Sequence, residues 1–251
     1  MDTALFDSHL HIIDPDFPLV ENTDYLPPAF TVGEYRTRVA GLNVVGGAVV
    51  SGSFQAFDQG YLLDALRRLG PGFVGVTQIP ADTPDERILE LNAAGVRAVR
   101  FNLARGGSAG VEDLDRLARR VHEVAGWHTE LYATDLGPVA GVVRDLPVVS
   151  IDHLGMRPEN LPVLLDLVNE GVMVKATGFG RVDLDPVEAI QAIVSVNPGA
   201  LMVGTDLPST RARRPFADTD LELIAEAVGA EQIEAVFHGN AEALYLGGHN
   251  T

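Results

Sequence analysis

The chain has 251 residues, 46 % of them apolar and 21 % charged, with a net charge of −17 and no cysteine. That much apolar material supports a buried core and excludes general disorder, while the missing cysteine excludes disulfides, thiolate metal sites and a cysteine nucleophile. The acidic balance repels phosphate backbones and anionic lipid, so neither nucleic acid nor a membrane is an expected partner. The N-terminal MDTALFD carries an acid where a secretory leader has a basic region, and no apolar run approaches the roughly 18–20 residues of a membrane span; a cytoplasmic protein is expected.

In chain order, eight β-branched runs predict strands: ALFDSHLHI (4–12), VVGGAVVS (44–51), GFVGVTQI (72–79), VRAVRFNL (96–103), HTELYAT (128–134), PVVSIDHL (147–154), GVMVKATG (171–178) and ALMVGTDL (200–207). Between them apolar residues recur at helical spacing, as at Leu62, Leu63, Leu66 and Leu69, at Leu114, Leu117, Ala118 and Val121, and at Leu161, Leu164, Leu165 and Val168. Start signals stand at Thr83-Pro84 with Glu86, at Asp135 before 136–144, and at Asp185-Pro186, and 218–246 supplies one or two closing helices.

Strands apolar on both faces, each followed by a helix, imply a parallel sheet covered by helices. Eight such units in about 250 residues predict one α/β domain over 1–251, a (β/α)8 TIM barrel. The competing open Rossmann-like sheet would carry G-x-G-x-x-G after an early strand, and the motif does not occur there.

Active sites of such barrels lie at the C-terminal strand ends. The first strand brings His9 and His11, the fourth Arg100 and Asn102 with Arg105 just beyond, the fifth Tyr132, the sixth Asp152 and His153, the seventh Arg181 in its following loop, and the eighth Thr205 and Asp206. His9 and His11 are two apart and so share a face, opposite Leu10 and Ile12. Any single strand histidine is most simply a satisfied core residue. Together His9, His11, His153 and Asp206 are unlike a barrel core of Val, Ile and Leu. His122, His238 and His249 are expected in structural or solvent roles, and His128 at the opposite, N-terminal end of its strand.

D-x-H-L-H on the first strand, VVSIDHLG on the sixth and MVGTDLP on the eighth resemble the amidohydrolase superfamily, in the branch that contains 2-pyrone-4,6-dicarboxylate lactonases. GVRAVRFNL, GWHTELYATD, VKATGFGR and GNAEALYL continue the likeness in the same order. The resemblance implies a (β/α)8 barrel and a hydrolase that opens a carboxylate-bearing lactone, with Asp206 as general base on water and His9, His11 and His153 polarising the carbonyl. By the same resemblance Arg100, Arg181, Tyr132, Tyr25 and Ser53 bind a small anionic substrate, with Arg105 beside the place of a second family arginine that here falls at Gly106. TDLPS stands where the lactonase has TDWPH, which alters the substrate more than the chemistry.

Two-metal members of the superfamily use a fourth-strand Lys or Glu bridge and a fifth-strand His; here those strands offer Arg100, Asn102 and Tyr132, and the sole lysine, Lys175, lies on the seventh. A metal-independent site is therefore preferred. One Zn or Mn ion on His9, His11, His153 and Asp206 is the alternative, in a metal-dependent amidohydrolase or decarboxylase. A lactone isomerase would use the same groups, and an inactive anion-binding barrel would gain nothing from Asp206. A homodimer is left open.

Overall fold

The computed structural model describes residues 3–247. All eight expected strands form: β1 (Leu5–Leu10), β2 (Val44–Val50), β3 (Phe73–Thr77), β4 (Val96–Asn102), β5 (His128–Tyr132), β6 (Val149–Ile151), β7 (Met173–Ala176) and β8 (Leu201–Val203). They pair in parallel in sequence order. Backbone bonds from His11 to Leu207 (2.8 Å) and from Asp206 to His9 (2.7 Å) join the two ends of the sheet at its C-terminal mouth. The result is the expected (β/α)8 barrel.

Each strand is followed by a helix: α1 (Val32–Arg38), α2 (Gly60–Leu69), α3 (Asp85–Ala93), α4 (Leu114–Ala125), α5 (Ala140–Asp145), α6 (Leu161–Asn169), α7 (Pro186–Val196) and α8 (Thr219–Val228), with α9 (Asn240–Leu246) closing the chain. On α4 the predicted stripe Leu114, Leu117, Ala118 and Val121 is buried, each large member contributing about 1.5–3 kcal/mol by removal from water. α7 starts as its sequence signal requires, with the Asp185 carboxylate accepting from the backbone of Val187 and Glu188. Asp135 does not start a helix: its carboxylate accepts from Gly137 N in a turn, and α5 begins only at Ala140. No helix among the described residues is long and apolar enough to cross a membrane.

The strict alternation expected along β1 breaks once. Leu5 and Leu10 pack outward against the helices while Phe6 faces the interior, and the register with β2 slips between Asp7 and Leu10. The slip lets both Phe6 and, further on, His9 and His11 point inward. The lower interior is apolar, filled by Phe6, Ala48, Val50, Val74, Val76, Ala98 and Met202. Tyr245 of α9 stacks on Phe6 at 5.6 Å between ring centres, so the last helix plugs the N-terminal end of the barrel.

The remaining histidines behave as expected where they are described. Nδ1 of His122 lies 3.2 Å from Trp127 O at the end of α4, His238 lies 3.8 Å from Glu242, and His128 is buried low in the barrel, 3.4 Å from Glu130. His249 lies outside the described residues.

Candidate active site

Above the apolar floor the interior becomes charged. On β5 the residues His128, Glu130 and Tyr132 alternate inward, and β7, the next strand but one, sends in Lys175. Lys175 Nζ lies 2.6 Å from Glu130 and 3.6 Å from Asp152, all three fully buried. Tyr245 donates to the other oxygen of Glu130. Arg100 places Nε and Nη2 on Asp152 at 3.1 and 2.8 Å and Nη1 on Ser51 O at 2.8 Å. Buried charge is tolerated when it is paired, and here it is paired between next-but-one strands. Burial opposes ionisation of Glu130, yet Lys175 outweighs it and holds this carboxyl below the usual range. Asp152 is held low in the same way, against its burial, by His9, Arg100 and Lys175.

At the mouth His9, His11, His153 and Asp206 converge as expected. His9 and His11 ring centres are 5.0 Å apart, and those of His9 and His153 4.9 Å. His11 Nδ1 lies 2.7 Å from Val50 O; a carbonyl only accepts, so that nitrogen carries the proton and Nε2 presents a lone pair 3.6 Å from Asp206 Oδ1. His9 Nδ1 lies 3.3 Å from Lys175 Nζ and 3.2 Å from Asp152 Oδ1; with the ammonium as its donor, the His9 proton sits on Nε2, a buried atom with no other partner, 3.9 Å from the same Asp206 oxygen. In that tautomer His9 is a donor into the site and His11 an acceptor. His153 Nδ1 bonds Thr177 Oγ1 at 2.7 Å.

Close packing holds these rings. A Cβ on Gly204 would lie 2.6 Å from the His9 backbone nitrogen, and one on Gly178 would lie 2.7 Å from His153 Nδ1. Both Asp206 and His153 have positive φ (57° and 54°), a region uncommon for residues other than glycine and maintained by surrounding structure. Asp7, in the same β1 motif, sits behind the site and accepts from Tyr35 OH and from both the amide and hydroxyl of Thr205. It thus locks the β1 and β8 ends together.

The pocket above is lined by His11, Ser53, Phe54, Arg100, Asn102, Arg105, Tyr132, His153, Arg181, Thr210 and Arg211. Five expected substrate contacts are thus brought to one mouth, and Tyr25 reaches it indirectly, beneath the Arg211 guanidinium at 4.4 Å. Two corrections follow. Arg100 and Arg181, expected to be open to substrate, are both committed: Arg100 to Asp152, and Arg181 through Nε (2.9 Å) and Nη2 (2.5 Å) to Asp206 Oδ2. His9 and Asp206 are wholly buried beneath the pocket rather than on its surface. Burial works against the Asp206 charge, but Arg181 holds the carboxyl well below the usual range.

The predicted four-ligand metal set also divides. Ligand atoms of His9, His11 and Asp206 lie close enough for one ion, whereas His153 groups instead with His9 and Asp152. The first set fits a divalent cation when His9 adopts its other tautomer, with Nδ1–H turned on Asp152 Oδ1 at 3.2 Å and Nε2 freed as a ligand. Arg211, Glu130 and the role of Lys175 were missed in the sequence; alternation along HTELY and VMVKA carried the signal for the last two.

An amidohydrolase family model matches residues 6–246. The chain belongs to the amidohydrolase family. Among relatives of this amidohydrolase, the 4-sulfomuconolactone hydrolase of Hydrogenophaga intermedia is 25 % identical over 98 % of the chain and 89 % of its own length. The 2-pyrone-4,6-dicarboxylate hydrolase of Comamonas testosteroni is 28 % identical over 61 % of the chain and 52 % of its own, and the D-galactarolactone isomerase of Agrobacterium fabrum 25 % over 95 % and 90 %.

The buried histidines are expected to make this amidohydrolase less stable in acid. Burial pushes His9 down to about 4 and lowers His128 and His153 as well. Below pH 6.5 the unfolded chain then binds protons that the folded chain does not, so stability falls on acidification, for His9 by up to about 1.4 kcal/mol per pH unit down to about pH 4. Asp7 acts oppositely: burial pushes it up to about 6, so below that pH the fold holds a proton that the unfolded chain releases down to about pH 4, offsetting one histidine. The histidines outnumber this opposing carboxyl, so Tm is expected to fall from pH 7 to pH 5. Calorimetry checks it; an unchanged Tm would contradict the neutral histidines.

Proposed function

We propose that the protein hydrolyses a lactone bearing carboxylate groups. The observation that carries this reading is the convergence of an ionised Asp206, a donor imidazole and an acceptor imidazole under a pocket ringed by arginines. The names of two relatives, both lactone-opening hydrolases, support it.

A water between Asp206 Oδ1 and His11 Nε2 meets two acceptors, so both its protons are held and a lone pair is left for the lactone carbonyl carbon. Asp206 takes the proton as the C–O bond forms. His9 Nε2–H stabilises the developing oxyanion, a contribution of about 3–4 kcal/mol for a well-placed donor. The tetrahedral centre collapses by breaking the ring C–O bond, and the leaving alkoxide takes the proton back, giving a hydroxy acid. While Arg181 lies on Asp206 that carboxylate is a weak base; a substrate carboxylate competes for the guanidinium, and its transfer strengthens the base as the substrate settles. Substrate charge thereby becomes a requirement for turnover as well as for affinity.

A second reading is favoured by the grouping of His9, His11 and Asp206. These residues would hold one divalent ion, which when bound supplies Lewis-acid polarisation and a lowered water pKa. Rates on carboxylated and neutral lactones, with and without chelator and beside elemental analysis, separate the two. Carboxylated lactones should open and neutral ones should not; full activity in metal-free protein removes the ion, and activity that tracks stoichiometric metal removes the metal-free route.

A further inference from the structure

Two cavities of opposite character share a wall residue at the mouth of the barrel. The catalytic pocket, ringed by Arg100, Arg105, Arg181 and Arg211, holds about 30 Å³ of free space. Beside it, between the loops after β4 and β5, lies a cleft of about 430 Å³. Its walls are Leu103, Ala109, Val111, Ala133, Pro138 and Val139, and its one charged lining residue is Asp135. Asn102, at the end of β4, borders both spaces.

The walls of the cleft are fixed. Asn102 is 3 % exposed and organises the β4 loop: its N donates to Ser108 Oγ (2.9 Å), its Oδ1 accepts from Arg105 N (3.0 Å) and its O from Gly106 N (2.8 Å). Gly107 has a φ of 80°, and a Cβ there would lie 2.6 Å from Ser53 O, so this loop packs directly on the loop after β2. On the other side Asn160 accepts from Leu136 N at 3.0 Å and donates to Thr134 O at 3.2 Å, which holds the β5 loop. One group is left over. The bond from Arg105 N fixes which end of the Asn102 amide is oxygen, and the other end, Nδ2, has no partner among the described residues. A buried donor without a partner costs free energy until a ligand oxygen meets it.

We propose that the cleft houses an uncharged, mainly apolar arm of the substrate, and that Asn102 Nδ2 donates to an oxygen where that arm leaves the ring. A carboxylate is refused there, because the cleft is lined by Asp135 and by no cation, whereas an apolar chain gains by leaving water. Asn102 is then a specificity residue: charge is read in the pocket on one side of it and the neutral arm on the other. This rests on the lactone-hydrolase reading for the ring, while the cleft itself is tested without turnover.

The probes are succinate, 2-pentylsuccinate and 2-butoxysuccinate, none with a ring to cleave, titrated calorimetrically into the full chain. The parent should bind the pentyl compound about 10-fold or more tighter than succinate, the gain from removing about two methylenes from water. Ala109→Phe, which fills the cleft, should bring that ratio to about one, whereas Val196→Phe, at an exposed position on α7, should leave it as in the parent. Asn102→Ala should lower the affinity for the butoxy compound relative to the pentyl one by about fivefold or more, because the ether oxygen then stays out of water without its donor. Asn102→Asp, which keeps an acceptor for Arg105 N and lacks the donor, carries the result if Asn102→Ala misfolds. A pentyl arm that adds no affinity, a gain that survives in Ala109→Phe or is equally lost in Val196→Phe, or an unchanged butoxy-to-pentyl ratio in the Asn102 variants overturns the inference. The ring is tested apart, with paraconic acid and its 5-pentyl derivative. Binding as expected with neither lactone opened leaves the cleft standing and removes the hydrolase reading; opening of both with no gain from the arm does the reverse.

Discussion

Asp206→Asn is expected to lower kcat by about 10²–10⁴-fold, the range for losing a positioned general base. Polycarboxylate binding should hold or tighten, because Arg181 loses its internal carboxylate and becomes available to ligand. Opposite signs for turnover and binding set this variant apart from a damaged fold, in which both would fall. The asparagine keeps the side-chain volume and can still accept from Arg181 at its amide oxygen. Stopped-flow kinetics beside calorimetry read the two quantities; a variant that turns over at the parent rate would remove Asp206 from the chemistry.

Lys175→Met is expected to cost stability and rate together. It leaves Glu130 and Asp152 buried with less compensation, and breaking a buried pair typically costs about 3–5 kcal/mol, or roughly 10–15 °C in Tm at this size. Without the Lys175 donor, His9 Nδ1 turns its proton to Asp152, and Nε2 faces the site as a lone pair instead of a donor. The rate should therefore fall even where the variant is fully folded. Adding Glu130→Gln removes one stranded charge and should return part of the Tm while leaving the rate low. If the double variant recovered the rate as well, Lys175 would be a structural residue with no hold on His9.

Much of the fold was legible in the chain. β-Branched runs closed by Gly, Pro or polar clusters marked all eight strands, because a strand buried on both faces has little freedom in composition. α1 was missed although Thr31 and Glu34 form a capping box, since its buried face is little more than Val32 and Tyr35. The four residues at the mouth were legible because alternation put the histidines on one face. Their ionic surroundings were not: which carboxylate meets which cation is decided by the sheet register, which sets side chains of next-but-one strands, β5 with β7 and β4 with β6, at one level inside the barrel. Arg211 was invisible for a related reason. Its partners Asn22 and Tyr25 are distant in sequence, and left-handed residues in the β8 loop steer it over the pocket.

The relative named as an isomerase sharpens the choice of measurement, because proton abstraction beside a carbonyl needs much the same groups as water activation. Turnover of a dicarboxylated lactone in H₂¹⁸O, followed by mass spectrometry of the product, separates the two chemistries. Attack of an Asp206-activated water on the carbonyl requires one ¹⁸O in the new carboxylate for every ring opened. A product of unchanged mass, with the lactone bond or a double bond merely relocated, would contradict hydrolysis at this site.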